Sequence, residues 1–371
     1  MTHAANAGQG TITLSHVNTP PAQTWNYLRT NDVSLTVEAP SRAGDVYFAL
    51  PRLFEGVECG CGEEVSAWVA SRARDARYVE VRAHEVRPEP IMVTVRSGEV
   101  QDVGIMIRRD AEATVCVLAD ATDDAATETS AALVRIICER GSRLHLIEYQ
   151  MGKAAHTHIE SVGIAADAGT RIDCRQFFLG AGTCAAGLAC SLNGTGARME
   201  LTCRYHASGT DVLDLNHVVR QRGRNTRSDI QESGVLDDAA KKTLRATIDL
   251  IHGAKGAVGS ELESVLVLSD DVTNKTMPVI LCDEDDVEGN HGATIGSPAP
   301  EQIRYLEDRG LSEAEAEALF VRALFDEALI QAPTAAVSRS VFARATEVFG
   351  PEQATELVET LGIELHEDEE A

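Results

Sequence analysis

Aromatic side chains are scarce, at 4% of 371 residues, and cations are outnumbered, with 33 Lys and Arg against 58 Asp and Glu. The formal charge of −25 argues against nucleic acid or an anionic membrane as a partner, because either needs a basic face. No apolar run approaches the roughly 20 residues that cross a bilayer. The start "MTHAANAGQGTITLSH" has no basic stretch followed by an apolar one, so no export signal and a cytoplasmic location are expected. GxSxG, GK[ST], HExxH and paired CxxC motifs are all absent, so the chain is not expected to be an enzyme. The nine cysteines lie mostly in apolar runs and read as reduced thiols packed as small hydrophobes. Only "CGC" (Cys59 and Cys61) has the look of a metal clip, and no second Cys/His pair follows at finger spacing.

What is abundant is Val, Ile, Leu, Thr and Gly in short alternating runs. "YVEVRAHEV", "PIMVTVRSG", "VGIMIRRDA", "TVCVLAD", "ALVRIICERG" and "RLHLIEYQ" read as strands separated by turns. A weak repeat orders them. "GSRLHLIEY", "GTRIDCRQF" and "GARMELTCR" begin at Gly141, Gly169 and Gly196, 28 and 27 residues apart. Superposed, Leu144, Ile172 and Met199 form one column, and Leu146, Cys174 and Leu201 form the next inward one. His145, Asp173 and Glu200 alternate outward between them. A unit this short cannot bury its apolar face alone and must stack on its neighbours. A parallel β-helix meets that requirement; an antiparallel sandwich is the competing architecture.

The ends differ from the middle. Val65, Trp68 and Val69 mark one face of a short N-terminal helix. After residue 296 the chain turns helical: "PAPEQIRYLEDRG" carries Pro near its start and Gly310 at its end, and Ser312 with Glu315 makes a capping box. Ala316, Leu319, Phe320, Ala323, Leu324 and Ala328 form the apolar stripe expected on that helix. The expected division is a short N-terminal α/β segment (1–77), a mainly β core (78–296) and a small C-terminal helical domain (297–371). The tail "ELHEDEEA" reads as a solvated end. His156 and His158, two apart in a strand, share a face that reads as solvated, or as a surface metal site. Cys282 is expected to pack inward with Ile280.

Four ordered pieces then carry a resemblance: "VLVLSDD", "MPVILCDEDDV", "HGATIG" and "EQIRYLEDRGLSEAEAEAL". Together with the stretch from His217 to Gly259 upstream, they resemble the C-terminal half of the SufB/SufD family of iron–sulfur cluster assembly proteins. The similarity runs from residue 217 to 327, and more loosely from about residue 89. The resemblance implies a right-handed parallel β-helix with a helical C-terminal domain. It implies a scaffold that pairs through its β-helix with a SufB-like chain or a second copy of itself, and docks a SufC-type ATPase on its C-terminal helices. It further implies a transient iron–sulfur cluster at the subunit interface, with His291 of "HGAT" as the cofactor-binding and metal-ligating residue. Asp285, Asp286 and Glu288 precede it and favour cations electrostatically.

Two departures leave the chain SufD-like and short of ligands. Gly289 stands where SufD-type chains commonly have cysteine, and Gly292 stands where SufB-type chains have glutamate. No cysteine lies in "GSELESVLVL". Thiolates are the usual cluster ligands, so a partner would supply most of them. The N-terminal region is short for the family, which also contains compact forms working as a homodimer with one ATPase. A β-helix polysaccharide-processing enzyme is the reading from a different class; it needs clustered carboxylates on one face, and His145, Asp173 and Glu200 are mixed. A β-helix serving an unrelated complex is the third.

Overall fold

The structure, a computed structural model, describes residues 10–24, 26–39, 49–73, 75–120, 129–152, 155–180, 182–363 and 365. The acidic end "ELHEDEEA" lies almost wholly outside them. A hairpin of β1 (Thr11–Val17) and β2 (Val33–Glu38) and the helix α1 (Glu63–Arg72) precede the body. The body is two stacked parallel sheets whose strands alternate along the chain. One holds β3 (Ala76–Val81), β5 (Val100–Ile107), β7 (Ser130–Cys138), β9 (Thr157–Ala166), β11 (Thr183–Leu192), β13 (Val212–Gln221), β15 (Lys241–Leu250) and β17 (Thr273–Cys282). The other holds β4 (Ile91–Arg96), β6 (Glu112–Asp120), β8 (Arg143–Met151), β10 (Arg171–Phe178), β12 (Arg198–Ala207), β14 (Arg227–Leu236), β16 (Ala257–Val267) and β18 (Val287–Gly296). Each coil is one strand of each sheet: a parallel β-solenoid.

The sequence repeat is the register of this stack. Leu144, Ile172 and Met199 are direct partners, as are Leu146, Cys174 and Leu201, and all six are buried. Aliphatic columns of this kind fill the space between the sheets along most of its length. The corners repeat as well. Asp110, Gly141, Gly169, Gly196, Asn225 and Gly256 all adopt positive φ where one sheet hands over to the other. At Gly141, φ is +72°, a conformation that favours glycine.

The two outer faces are covered by different ends of the chain. The N-terminal hairpin and α1 pack on the first sheet, burying Val65, Trp68 and Val69 against Leu133, Ile159 and Ala185. On the second sheet lie α3 (Glu313–Ile330), α4 (Ala335–Phe349) and α5 (Pro351–Leu361), while α2 (Pro300–Glu307) packs against α3. Ser312 and Glu315 form the capping box of α3. The apolar stripe of α3 differs in phase from expectation. Leu319 and Ala323 are exposed, while Val321, Leu324, Phe325, Ala328 and Leu329 are buried. The helix lies flat on the aromatic outer face of the sheet, where Tyr149 and Phe177 stack with ring centroids 5.1 Å apart, and this wide floor selects Phe325 as its centre. Among the described residues no helix is long and apolar enough to cross a membrane.

Candidate functional site at the open end of the solenoid

The stack has two unlike ends. At the C-terminal end β17 and β18 are the last strands of their sheets, each paired on one side only. Strand alternation turns Gly289, His291 and Ala293 of β18 inward, in register with Gly259, Glu261 and Glu263 of β16. His291 thus ends the column Ile91, Val115, Leu146, Cys174, Leu201, Ile230, Glu261. Its ring is nonetheless exposed, because no further coil lies over it. Cys282 follows the same logic and corrects the expectation of core packing. It ends the buried column Leu192, Gln221, Leu250, yet it is exposed, with Sγ donating to Glu284 O at 3.3 Å. An inward position is buried only when another coil closes it.

Below this rim the interior changes character. Glu261 is 3% exposed, no amine, amide or hydroxyl among the described residues donates to it, and its carboxyl lies within hydrogen-bonding reach of that of Glu232. One coil further in, Glu232 Oε1 lies 2.7 Å from His217 Nδ1. Glu263 is bound by Lys242, by Tyr205 OH at 3.0 Å and by Thr276 Oγ1 at 2.6 Å. Desolvation pushes Glu232 and Glu261 up to about 8 and drives His217 down to about 4. Behind the exposed imidazole, Glu232 and Glu261 are therefore held mainly in the protonated form at neutral pH. Asp285, Asp286 and Glu288 are exposed on the adjoining corner. Glu284 is held there by backbone donors, first the Gly253 amide at 2.9 Å, which lowers its pKa. Next to His291, a Cβ on Gly289 would meet Ile280 Cγ2 at 3.0 Å, so the glycine in place of cysteine matches a tight wall.

Other candidates resolve differently. His156 and His158 are buried rather than solvated: Ser130 Oγ lies 3.0 Å from His156 Nε2 and 2.8 Å from His158 Nδ1. Burial lowers them to about 4 and about 3, so both are neutral. Cys59 and Cys61 belong to a strap laid across the first sheet. Gly60 donates to Val162 O at 3.1 Å, and a Cβ on Gly60 would lie 2.0 Å from Gly187 C. Glycines on both sides let backbone touch backbone. Cys61 is fully buried, its Sγ 3.1 Å from Glu160 O, and burial raises its thiol well above the ordinary range. Among the described residues no group of three or more His, Cys, Asp or Glu is arranged to hold a metal ion. Sequence reasoning did not anticipate the buried Glu148, Glu160, Glu232, Glu261 and Glu263. A signal existed: His158 and Glu160 stand in phase with Val162 and Ile164, which face the core.

A family model described as "SUF system FeS cluster assembly, SufBD core domain" matches residues 92–324, the greater part of the solenoid together with α2 and most of α3. The chain belongs to the SufBD family. A stretch of 119 residues is 30% identical to the iron–sulfur cluster assembly protein SufD of Bacillus subtilis, covering 32% of this chain and 27% of that protein. SufBD family proteins of Staphylococcus saprophyticus and Methanocaldococcus jannaschii are 29% and 25% identical over 132 and 131 residues, covering 36% and 35% of this chain and 28% and 40% of theirs. The aligned stretches thus span less than half of each curated relative. As a SufBD protein the chain is mainly β, with a parallel β-solenoid at its centre.

Proposed function

We propose that this SufBD protein is a cytoplasmic scaffold subunit of a SUF-type assembly complex and holds a nascent iron–sulfur cluster as cargo at the open end of its solenoid. The observation that carries the reading is the terminal coil: His291 sits in the inward column yet is exposed, on a strand with an unpaired edge. An unpaired edge is a template for another chain, and a neutral imidazole is a ligand for iron. With Cys282 as the nearest exposed thiol, this chain offers two donors and a partner must supply the others, thiolates first. The partner is a SufB-like chain or a second copy of this one. The second fits a compact scaffold working with one ATPase.

ATPase docking is assigned to α2 and the start of α3. Tyr305 and Leu319 are exposed there, and Glu301, Gln302, Tyr305, Leu306 and Phe320 line a shallow hollow of about 370 Å³. An apolar surface with a polar rim suits a protein partner. The test is co-expression with a SufC-type ATPase and a SufB-like chain. The complex should form with the wild type and be lost with Tyr305→Asp and Leu319→Asp. His291→Ala should form the same complex but load less iron and sulfide. Absence of any complex defeats the scaffold reading; unchanged loading removes His291 from the site. The mass of the isolated protein separates homodimer from heteropartner.

A further inference from the structure

Four arginines stand in one outward column of the second sheet. Arg143, Arg171, Arg198 and Arg227 open β8, β10, β12 and β14 and are direct cross-strand partners. All four are exposed. Arg143 has a loose contact with Glu112 at 3.6 Å; among the described residues Arg171, Arg198 and Arg227 make no ion pair or side-chain hydrogen bond. Like charges directly opposite on neighbouring strands are unfavourable, and this chain, at −25, is not short of carboxylates to interleave. Arg224 and Lys255 extend the basic edge on the adjoining corner and are also exposed. A local rule broken at three successive pairs, with only the loose Glu112 contact at one end to offset it, marks a surface built for something outside the chain.

We propose that this arginine ladder is a docking strip for an acidic α-helix of a partner protein. Spacing selects the helix. Rungs of a parallel stack lie about 4.8 Å apart, so four rungs span roughly 14 Å. Carboxylates on one face of a helix recur about every 5.4 Å and would span roughly 16 Å, a mismatch that arginine side chains absorb. Same-face residues of an extended peptide recur at about 6.7 Å and would span roughly 20 Å, leaving the outer rungs unmatched. Width excludes a broad polyanion. The next outward column carries Asp173, Glu200 and Asp229, so the positive strip is one residue wide with a negative border. A nucleic-acid duplex, with a charge about every 1.7 Å of axis, would lie across both columns and set its phosphates against Asp173, Glu200 and Asp229.

The experiment uses full-length protein and a fluorescent alanine-rich helical peptide carrying glutamate on one face at i, i+4, i+7 and i+11. A second peptide of the same composition has its glutamates dispersed around the helix. Anisotropy at low salt should show binding of the one-faced peptide at least tenfold tighter than the dispersed one, weakening as salt rises. The triple variant Arg171→Gln/Arg198→Gln/Arg227→Gln should lose at least tenfold in affinity while its Tm stays within a few degrees of the wild type, as exposed substitutions without a bonded partner usually do. Equal binding of both peptides, or of wild type and variant, overturns the proposal. Tighter binding of an oligonucleotide than of the one-faced peptide overturns it in favour of nucleic acid. These outcomes are independent of His291 and of ATPase docking.

Discussion

Glu160 Oε2 lies 3.4 Å from His158 Nε2 inside the solenoid, and neither residue reaches solvent. Both are neutral for the same reason: desolvation raises Glu160 to about 8 and lowers His158 to about 3. Stability should therefore depend on pH from two sides. His156, His158, His206 and His217 are all depressed to about 4 or below, so the native state binds fewer protons than the unfolded chain below pH ~6.5. Their contribution falls as the solution becomes more acidic. Glu160, Glu232 and Glu261 are raised to about 8, so the native state keeps protons that the unfolded chain releases above pH ~4.5. Their contribution falls as pH rises. The two sets oppose each other between about pH 4.5 and 6.5, and only the glutamates act above that. Stability should be highest in the mildly acidic range and decline toward pH 8, by up to about 1.4 kcal/mol per glutamate per pH unit, with Tm falling in parallel. Glu160→Gln should flatten the decline. A Tm that is level or rising from pH 6.5 to 8 contradicts this account.

The strap makes a second prediction. Gly187→Ala places a methyl 2.4 Å from Gly60 C, where backbone cannot yield cheaply. It should lift residues 58–62 off the sheet and cost about 2 kcal/mol or more, in the range of core overpacking. Titration with a thiol reagent gives the decisive readout: Cys61, protected in the wild type, should react. An unreactive Cys61 in a folded variant shows that the strap tolerates the methyl.

Arg245 anchors the N-terminal segment from below. It is fully buried and pairs with Asp214 through Nη1 at 2.6 Å and Nη2 at 3.1 Å, while Nε donates to Thr30 O and Asn18 Nδ2 reaches Asp214 Oδ1 at 2.7 Å. Arg245→Leu leaves Asp214 buried without its cation and should cost about 3–5 kcal/mol. The double variant Arg245→Leu/Asp214→Leu should recover much of the loss. Chemical denaturation of the four proteins of this cycle decides it; equal losses in the single and double variants would deny the pair.

The C-terminal helices give a graded series. Tyr149 OH donates to Ala328 O at 2.9 Å, so Tyr149→Phe should cost about 1 kcal/mol. Phe325, fully buried and 5.1 Å from Phe349, should cost about 3–5 kcal/mol as Phe325→Ala. Proteolysis should then cut the α3–α5 region before the solenoid. Simultaneous digestion of both would mean that they unfold as one unit.

Much of the fold was legible because its repeat is written in side chains. The Leu144 and Leu146 columns, the glycine corners and the Ser312 cap each follow from local rules that nothing else in the molecule overrides. What escaped has a common cause. Alternation tells which side of a strand a residue faces, and burial depends also on whether another layer lies beyond. Cys282 was assigned to the core because its phase is inward, and it is exposed because the stack stops there. His156 and His158 read as a solvated face because their type suggests water, although the phase of His158 matches that of Val162. The face of α3 was misjudged at Leu319 because the aromatic floor it meets is built by strands far away in sequence.

The helices do not hang from the last coil. Ser340 Oγ reaches Asp120 at 2.6 Å, Arg344 Nε reaches Leu179 O at 2.8 Å and Arg204 Nε reaches Glu327 at 2.8 Å, on top of the Tyr149 contact, so the bundle is riveted along the flank of several rungs. A tug on α3 or α4 is consequently shared as shear over much of the column's length, and the rim bearing His291 is carried along as a rigid lip instead of being peeled open.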